Sequence, residues 1–333
     1  MTNSNKTTIT NQEELYSMVN GFQKSRVILT AFELEIFTLL SNSRKSAKEI
    51  AISQDIDPDA VEQLMNVLCA FELLEKKNGK FSNLPIAEKF LVKGKPDFLS
   101  RVNHSINLWD SWSSLTQVVK SGIVTHQTQI IEKEDDWLKN FIGAMHNRAK
   151  KTAPDIVQKI DIEGVNSLLD LGGGSGVFAM AFKARKDELK ATVFDLPNVI
   201  PLTKDYIKKE GFEGKINTIT GDYLKDDIGG SYDLIFLSAI IHSNSFEENQ
   251  KLILKCATAL NPGGRILIDD FIMNENKTGP VRGAIFAINM LVGTKSGTTY
   301  SEGEIKTWFD KANIRFISNN QTQFGTGQII GQK

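Results

Sequence analysis

The sequence predicts an α/β chain: a Rossmann-like, doubly wound and mostly parallel sheet in its C-terminal half, preceded by an all-α domain of winged-helix pattern. Three observations lead there. From residue 165 onward, short apolar runs alternate with helical segments, as strands joined by helical crossovers do. The stretch Leu168-Leu-Asp-Leu-Gly-Gly-Gly-Ser-Gly176 ends a strand in an acid and opens a helix through a tight glycine turn. Near the N-terminus, helix, turn, helix and a small hairpin follow one another.

Residues 1–11 read as a polar, disordered tail. Residues 12–41 are expected to be mostly helical, because Leu15, Val19, Phe22, Val27, Leu29, Phe32, Ile36 and Leu40 recur at helical spacing. Ser46–Ala51 follows. A further helix starts at Asp57-Pro58, with the aspartate as N-cap and the proline in the first turn. Leu73–Ser82 reads as a hairpin turning at Asn78-Gly79. Residues 84–160 carry helices with Trp109, Trp112, Trp137, Phe141 and Met145, interrupted near the end by Pro154. Strands are expected at Val165–Leu171, Lys190–Asp195, Lys215–Thr220, Tyr232–Ser238 and Arg265–Phe271. Helices fall near 176–188, 198–210 and 246–260. After a helix near 303–313, Ile314–Ser318 and Gln328–Ile330 close the sheet. The expected division is residues 12–100, 101–160 (helical linker and pocket helices) and 161–333, with the domain boundary near 155–164.

Composition narrows the function. The 333 residues are 41% hydrophobic and 24% charged, enough for one large domain and a smaller one. A formal net charge of -1 gives no global attraction to nucleic acid or to an anionic membrane. The helix of the winged-helix pattern that would read DNA makes the point locally. Between Gln54 and Glu75 there is no Lys or Arg, but Asp55, Asp57, Asp59, Glu62, Glu72 and Glu75 are present, and DNA would repel them. A ligand-sensing regulator is therefore the weaker reading of this module. Cys69 and Cys256 lie far apart in apolar helical patterns, which suits inert core residues in a reduced, cytoplasmic setting. The polar start is not expected to be a signal peptide, and no apolar run approaches the roughly 20 residues of a membrane span.

The glycine stretch carries the chemistry. Glycines let a ligand approach the backbone, and the helix start offers free N–H groups. The nicotinamide fingerprint G-x-G-x-x-G fails here, because the sixth position from Gly172 is Val177. The spacing is acid-x-Gly-x-Gly-x-Gly, and Asp170 sits where it would bind a cationic or hydroxyl group of a ligand but repel a pyrophosphate. Two further acids close strands: Asp195, and Asp222 next to Tyr223. Ligands of open α/β sheets bind beyond the carboxyl ends of the strands, so these acids would line one crevice. Asp195 suits ribose hydroxyls; Asp222 with Tyr223 suits an adenine edge and face.

Taken in order, Asp170-Leu-Gly-Gly-Gly-Ser-Gly176, Val193-Phe-Asp-Leu-Pro197, Gly221-Asp-Tyr223, the strand leading to His242, and Asn261-Pro-Gly-Gly-Arg-Ile-Leu-Ile-Asp-Asp270 resemble the class I S-adenosylmethionine-dependent methyltransferases. The set is similar to the O-methyltransferases of the caffeate, acetylserotonin and bacterial polyketide-tailoring type. The resemblance spans roughly residues 12–333. It implies S-adenosyl-L-methionine as cofactor and a homodimer formed through the winged-helix domain. It places Gly172, Gly174 and Gly176 at the methionine part of the cofactor, Asp195 at the ribose, Asp222 with Tyr223 at the adenine, and Leu196 among the cofactor-binding residues. Ser238, Met145 and Arg148 would also face the cofactor, and His242 would be the general base.

That chemistry is coherent, since a phenol with a pKa near ~10 needs deprotonation and a histidine with a pKa near ~6.5 can do it. A buried acid would orient the histidine. The sequence departs from the family here: most members read His-Asp-Trp, whereas this chain reads His242-Ser-Asn244. Asp269 and Asp270 lie near the place of a supporting acid, and Asp270 is taken with His242 as the catalytic pair. Support for the base, metal ligation and plain loop acids remain open for Asp269 and Asp270. The region where the family carries Arg-Thr reads Thr299-Tyr-Ser-Glu-Gly-Glu304. An apolar pocket is expected from the helix Ala284–Val292, with Asn289 and Met290, together with Trp109, Trp112, Phe141 and Met145, which suits a flat acceptor. His104, His126 and His146 show no metal-ligand spacing and read as structural. The reading is a metal-independent methyltransferase acting on a hydroxyl of an aromatic or polyketide-like small molecule, without nucleic-acid or membrane partners. Its alternatives are C- or N-methylation, a metal-dependent methyltransferase, a nicotinamide oxidoreductase and a regulator.

Overall fold

A computed structural model describes residues 9–99, 101–124 and 135–333. Most of the expected tail, and His126, lie outside the described residues. The chain divides into two compact units, Lys6–Trp109 and Asp110–Lys333.

The N-terminal unit contains helices α1 (Gln12–Val19), α2 (Gly21–Glu33), α3 (Ile36–Leu39), α4 (Ala47–Gln54) and α5 (Pro58–Ala70), the hairpin β1 (Leu74–Lys77) and β2 (Lys80–Asn83), and α6 (Pro85–Phe90). Local chemistry sets its boundaries. Ser46 and Glu49 form a reciprocal capping box at the start of α4. The Asp57 carboxylate accepts from the Ala60 N–H at 2.7 Å, with Pro58 in the first turn of α5. The hairpin turns at Asn78 and Gly79, whose φ angles of 52° and 73° give the left-handed turn its sequence required. Ile36, Phe37, Leu40, Ile50, Met65, Leu68 and Phe81 fill the core.

Helix α7 (Arg101–Ser113) runs across the division, and α8 (Leu115–Ser121), α9 (Asp135–Lys150) and α10 (Ala153–Gln158) precede the sheet. Ala153, Ile156 and Val157 of α10 pack into the core with Leu168, Phe178 and Phe182. Pro154 starts α10 instead of breaking a longer helix.

The C-terminal unit alternates β3 (Ser167–Leu171), α11 (Val177–Arg185), β4 (Lys190–Asp195), α12 (Ile200–Lys209), β5 (Ile216–Thr220), β6 (Tyr232–Ser238), α13 (Phe246–Ala259) and β7 (Leu260–Asp270). A short pair, β8 (Ile272–Met273) and β9 (Tyr300–Ser301), brackets α14 (Val281–Gly293). Then come α15 (Glu302–Lys311), β10 (Arg315–Gln321) and β11 (Gly327–Gln332). The seven-stranded order is β10-β11-β7-β6-β3-β4-β5. The five strands from β7 to β5 pair in parallel, while β11 runs antiparallel to β7. β7 begins at Leu260, before the expected Arg265, because Leu260 already pairs with Tyr232 ahead of a register shift. The order reverses between β3 and β6, which makes their carboxyl ends the switch point where ligands bind.

Alternation along the strands decides what faces that edge. Leu169, Leu171, Ile235, Leu237, Ile266 and Ile268 pack toward α13 and α15. Leu168, Leu234, Phe236 and Leu267 pack on the other face, with α10 and α11. Asp170, Ser238 and Asp269 follow the second set, and Asp270 follows the first. Among the described residues, no helix is long and apolar enough to cross a membrane.

Candidate active site

The turn after β3 is held from several sides. Gly172, Gly174 and Gly176 have φ angles of 67°, 56° and 74°, and a Cβ on Gly172 would fall 2.3 Å from Ile240 Cδ1. No L side chain fits such a position without strain. Asp170, 1% exposed, accepts from the Ala179 N–H at 3.0 Å. Burial raises its carboxyl to about 7, and the nearby Asp195 adds to the rise. Asp195 ends β4 and accepts from the Leu196 and Gly174 N–H groups, both at 2.7 Å. Burial raises it to about 6 against those two bonds. The Thr203 hydroxyl donates to the Gly174 carbonyl at 2.5 Å.

Asp222 follows β5. One of its oxygens accepts from the Leu224 N–H, and the other pairs with Lys225 at 2.9 Å. The Tyr223 hydroxyl donates to Asn244 Oδ1 at 3.3 Å, and burial raises its phenol.

β6 leads into a 3₁₀ turn at Ile241–Ser243 that carries His242. Ser238, at the strand end, is half-buried and pairs in register with Asp269. His242 Nδ1 lies 2.8 and 3.0 Å from the two oxygens of Asp270, at the end of β7. Asp270 also accepts from the Phe271 N–H at 2.8 Å. The carboxylate therefore selects the tautomer with its proton on Nδ1, which leaves the Nε2 lone pair free to accept a proton. Asp269 faces the other way, and its Oδ1 is buried without a hydrogen-bond partner among the described residues. Burial raises its carboxyl to about 6; Thr326 opposes the rise, Asp270 adds to it, and the Arg148 charge opposes it.

The structure brings α14 against this pair. Phe286 stands edge-on to the His242 ring, with centroids 4.8 Å apart, and Phe271 lies 4.4 Å from Phe286. One turn on, Asn289 Oδ1 accepts from Trp112 Nε1 at 3.0 Å. Met290, on the same helix, is buried. Phe141 stacks on Trp137 and packs in a cluster with Ile142 and Leu196. Met145 is half-buried on the same helix, α9. Trp109 belongs to the Lys6–Trp109 unit, where the Arg26 guanidinium lies 5.3 Å from its ring centre. Among the described residues, no group of three or more His, Cys, Asp or Glu side chains is placed to hold a metal ion.

Sequence reasoning missed the support of the 3₁₀ turn. Asn244, where the family carries an aromatic residue, is buried and donates to Asn249 Oδ1 at 3.0 Å. Asn249 donates to the Ile241 carbonyl at 2.7 Å, and the Tyr300 hydroxyl donates to the Asn244 carbonyl at 2.6 Å. Phe286 and Thr203 were missed as well. The signal for the asparagines was their placement: Asn244 lies just beyond the histidine, and Asn249 is in the first turns of α13.

Residues 118–315 match the O-methyltransferase domain family, and residues 16–93 match the O-methyltransferase dimerisation domain. The chain is 28% identical to the 3-hydroxy-5-methyl-1-naphthoate 3-O-methyltransferase of Streptomyces sahachiroi over 91% of each chain. It is 28% identical to the S-adenosyl-L-methionine-dependent methyl transferase PigF of Serratia sp., over 98% of this chain and 97% of that one. Against the human N-acetylserotonin methyltransferase solved in complex with SAM, the TM-score is 0.80 at 23% identity, covering 97% of this chain and 98% of that one.

Proposed function

The chain belongs to the O-methyltransferase family, and from that membership we propose that it moves a methyl group from S-adenosyl-L-methionine to a hydroxyl of an aromatic or polyketide-like small molecule. The observation that carries the reading is the His242–Asp270 pair at the edge of the sheet that also holds the glycine turn and Asp195.

The residues suit the cofactor. Asp170, Asp195 and Asp269, at the ends of three parallel strands, all sit high through burial. A ligand that carries positive charge relieves that cost, and a pyrophosphate would worsen it. Asp195, set by two backbone N–H groups, can still accept from a ribose diol. When bound, the cofactor supplies a methyl group open to in-line displacement. The chain's residues do the rest. His242 Nε2 takes the acceptor hydroxyl's proton, and Asp270 stabilises the resulting imidazolium and keeps the ring aligned. Phe286, edge-on to the His242 ring and backed by Phe271, offers apolar surface beside the pair, and Trp112 with Asn289 one helical turn on adds an aromatic face and a polar contact. Leu196, Tyr223, Ser238, Met145 and Arg148 belong to the cofactor side of this reading, and Met290 and Phe141 to the wall of the pocket.

The dimerisation-domain match at residues 16–93 supports assembly of the chain as a homodimer. The acids between Gln54 and Glu75 argue against a nucleic-acid partner, and the free thiols of Cys69 and Cys256 favour a cytoplasmic setting.

Calorimetry with S-adenosylhomocysteine, with NAD as control, tests the cofactor, and a mass-shift assay over phenolic acceptors tests transfer. S-adenosylhomocysteine should bind wild type and His242→Ala alike and fail to bind Asp195→Ala. Turnover of His242→Ala should fall roughly 10²–10⁴-fold. Undiminished turnover would remove His242 from the mechanism, and absence of S-adenosylhomocysteine binding to wild type would remove the cofactor.

A further inference from the structure

We propose that His146 is a positioning residue for the cofactor: through Ser175 it fixes the glycine turn in the geometry that presents Gly174 and Asp195. The inference rests on the cofactor reading above and assigns a role to a histidine that spacing alone leaves structural.

The turn Gly172-Gly-Gly-Ser-Gly176 contains a single side chain larger than hydrogen. Side chains that hold the turn therefore act either on its backbone or on Ser175. Ser175 is 4% exposed, and its hydroxyl lies 2.9 Å from His146 Nδ1. The neighbouring residues have little freedom to move apart from it. Gly174 is held at its N–H by Asp195 and at its carbonyl by Thr203, and the Gly176 N–H returns to the Gly173 carbonyl at 2.8 Å. A rotation at Ser175 would thus be passed to the Gly174–Asp195 bond.

The imidazole is itself fixed from the side away from the turn. It stacks on Tyr206 with ring centres 4.2 Å apart. Nε2 lies 3.7 Å from Glu210, which Lys150 holds at 2.6 Å. Three residues earlier on α9, a Cβ on Gly143 would fall 3.1 Å from the Tyr206 hydroxyl, so the glycine lets helix and ring approach. Burial lowers the basicity of His146 more than Glu210 restores it. The ring is then neutral, and the carboxylate beside Nε2 favours the proton there. Nδ1 is left to accept from the Ser175 hydroxyl. Packing alone does not demand a histidine. A cavity of about 140 Å³ adjoins the ring, lined by apolar residues that include Val177, Met180 and Phe212, so polar contacts orient it.

The experiment is a calorimetric double-mutant cycle on the full chain with S-adenosylhomocysteine as probe. His146→Ala and Ser175→Ala should each raise Kd roughly 3–10-fold, the scale of one lost hydrogen bond. The double variant should bind no worse than the weaker single variant, because both remove one contact. His146→Asn, whose amide can sit where Nδ1 sits, should recover binding to within about threefold of wild type. Ser175→Ala removes only a hydroxyl, so it carries the test should His146→Ala fold poorly. Wild-type affinity in both single variants, penalties that multiply in the double variant, or an asparagine no better than alanine would each overturn the assignment. If wild type itself binds no S-adenosylhomocysteine, the cofactor reading falls and this assignment falls with it; if wild type binds and the variants match it, only the assignment falls.

Discussion

At the end of β7, Asp269 and Asp270 point to opposite faces of the sheet, and that alternation decides what each can do. Asp270 meets His242 and the Phe271 N–H. Asp269, 4% exposed, keeps one oxygen without a partner among the described residues, and burial raises it to about 6. Its native form holds a proton more tightly than the unfolded chain does. Its contribution to stability is therefore fully present below its ordinary pKa of 3.8 and is lost as pH rises through about 6. Asp170 and Asp195 act in the same direction. His146, held low, acts in the opposite one, so the slope for the whole protein mixes signs. A single substitution isolates the effect. Asp269→Asn keeps the shape and removes the charge. Its unfolding free energy relative to wild type should improve between pH 5 and pH 8 by roughly 1–3 kcal/mol. Denaturant melts at the two pH values measure the difference, and an equal gap at both would mean that Asp269 ionises without penalty.

The 3₁₀ turn that carries His242 shows what elements add to residues. Sequence patterns marked β6 to the residue, and short apolar runs alternating with helical segments marked every parallel strand of the sheet within a few positions, since strands buried on both faces read as continuous apolar runs. The glycine turn and its acids were legible because backbone conformation restricts residue type there. The turn's support was not. Asn244, Asn249 and Tyr300 converge from a loop, a helix and β9, and no spacing in a single segment encodes that meeting. For the same reason the departure from His-Asp-Trp gave no sign that buried amides hold the turn. Asn244→Ala strands the partners of a buried amide and should cost about 1–3 kcal/mol. Tyr300→Phe removes one donor and should cost about 0.5–1.5 kcal/mol. If the three side chains act as one network, the double variant should lose less than the sum of the two. Chemical denaturation decides the point, and strict additivity would show two unrelated contacts.

On the scale of the whole molecule, the two units divide the work. The glycine turn, Asp195, His242 and Asp270 all lie within Asp110–Lys333, while the match to a dimerisation domain lies within residues 16–93. The N-terminal unit also leaves apolar surface uncovered. Leu15, Tyr16, Met18 and Val19 of α1 and Phe22 of α2 are 49–63% exposed. Isolated exposed apolar residues are ordinary, but a run of five on consecutive turns is a patch of the kind that another chain covers. A second copy is the partner that the dimerisation match favours, because a two-fold interface sets the same patch against itself. Two charges placed there would have to be buried against each other in the pair, at a cost of several kcal/mol. Light scattering on the wild-type chain should therefore give twice the chain mass, and Val19→Glu with Phe22→Glu should give the mass of one chain. Binding of S-adenosylhomocysteine by that variant should stay within a few-fold of wild type, because each residue assigned to the cofactor lies in the other unit. A variant that remains dimeric would place the interface elsewhere on the N-terminal unit. A monomer that no longer binds would show instead that the cofactor site depends on the assembled pair.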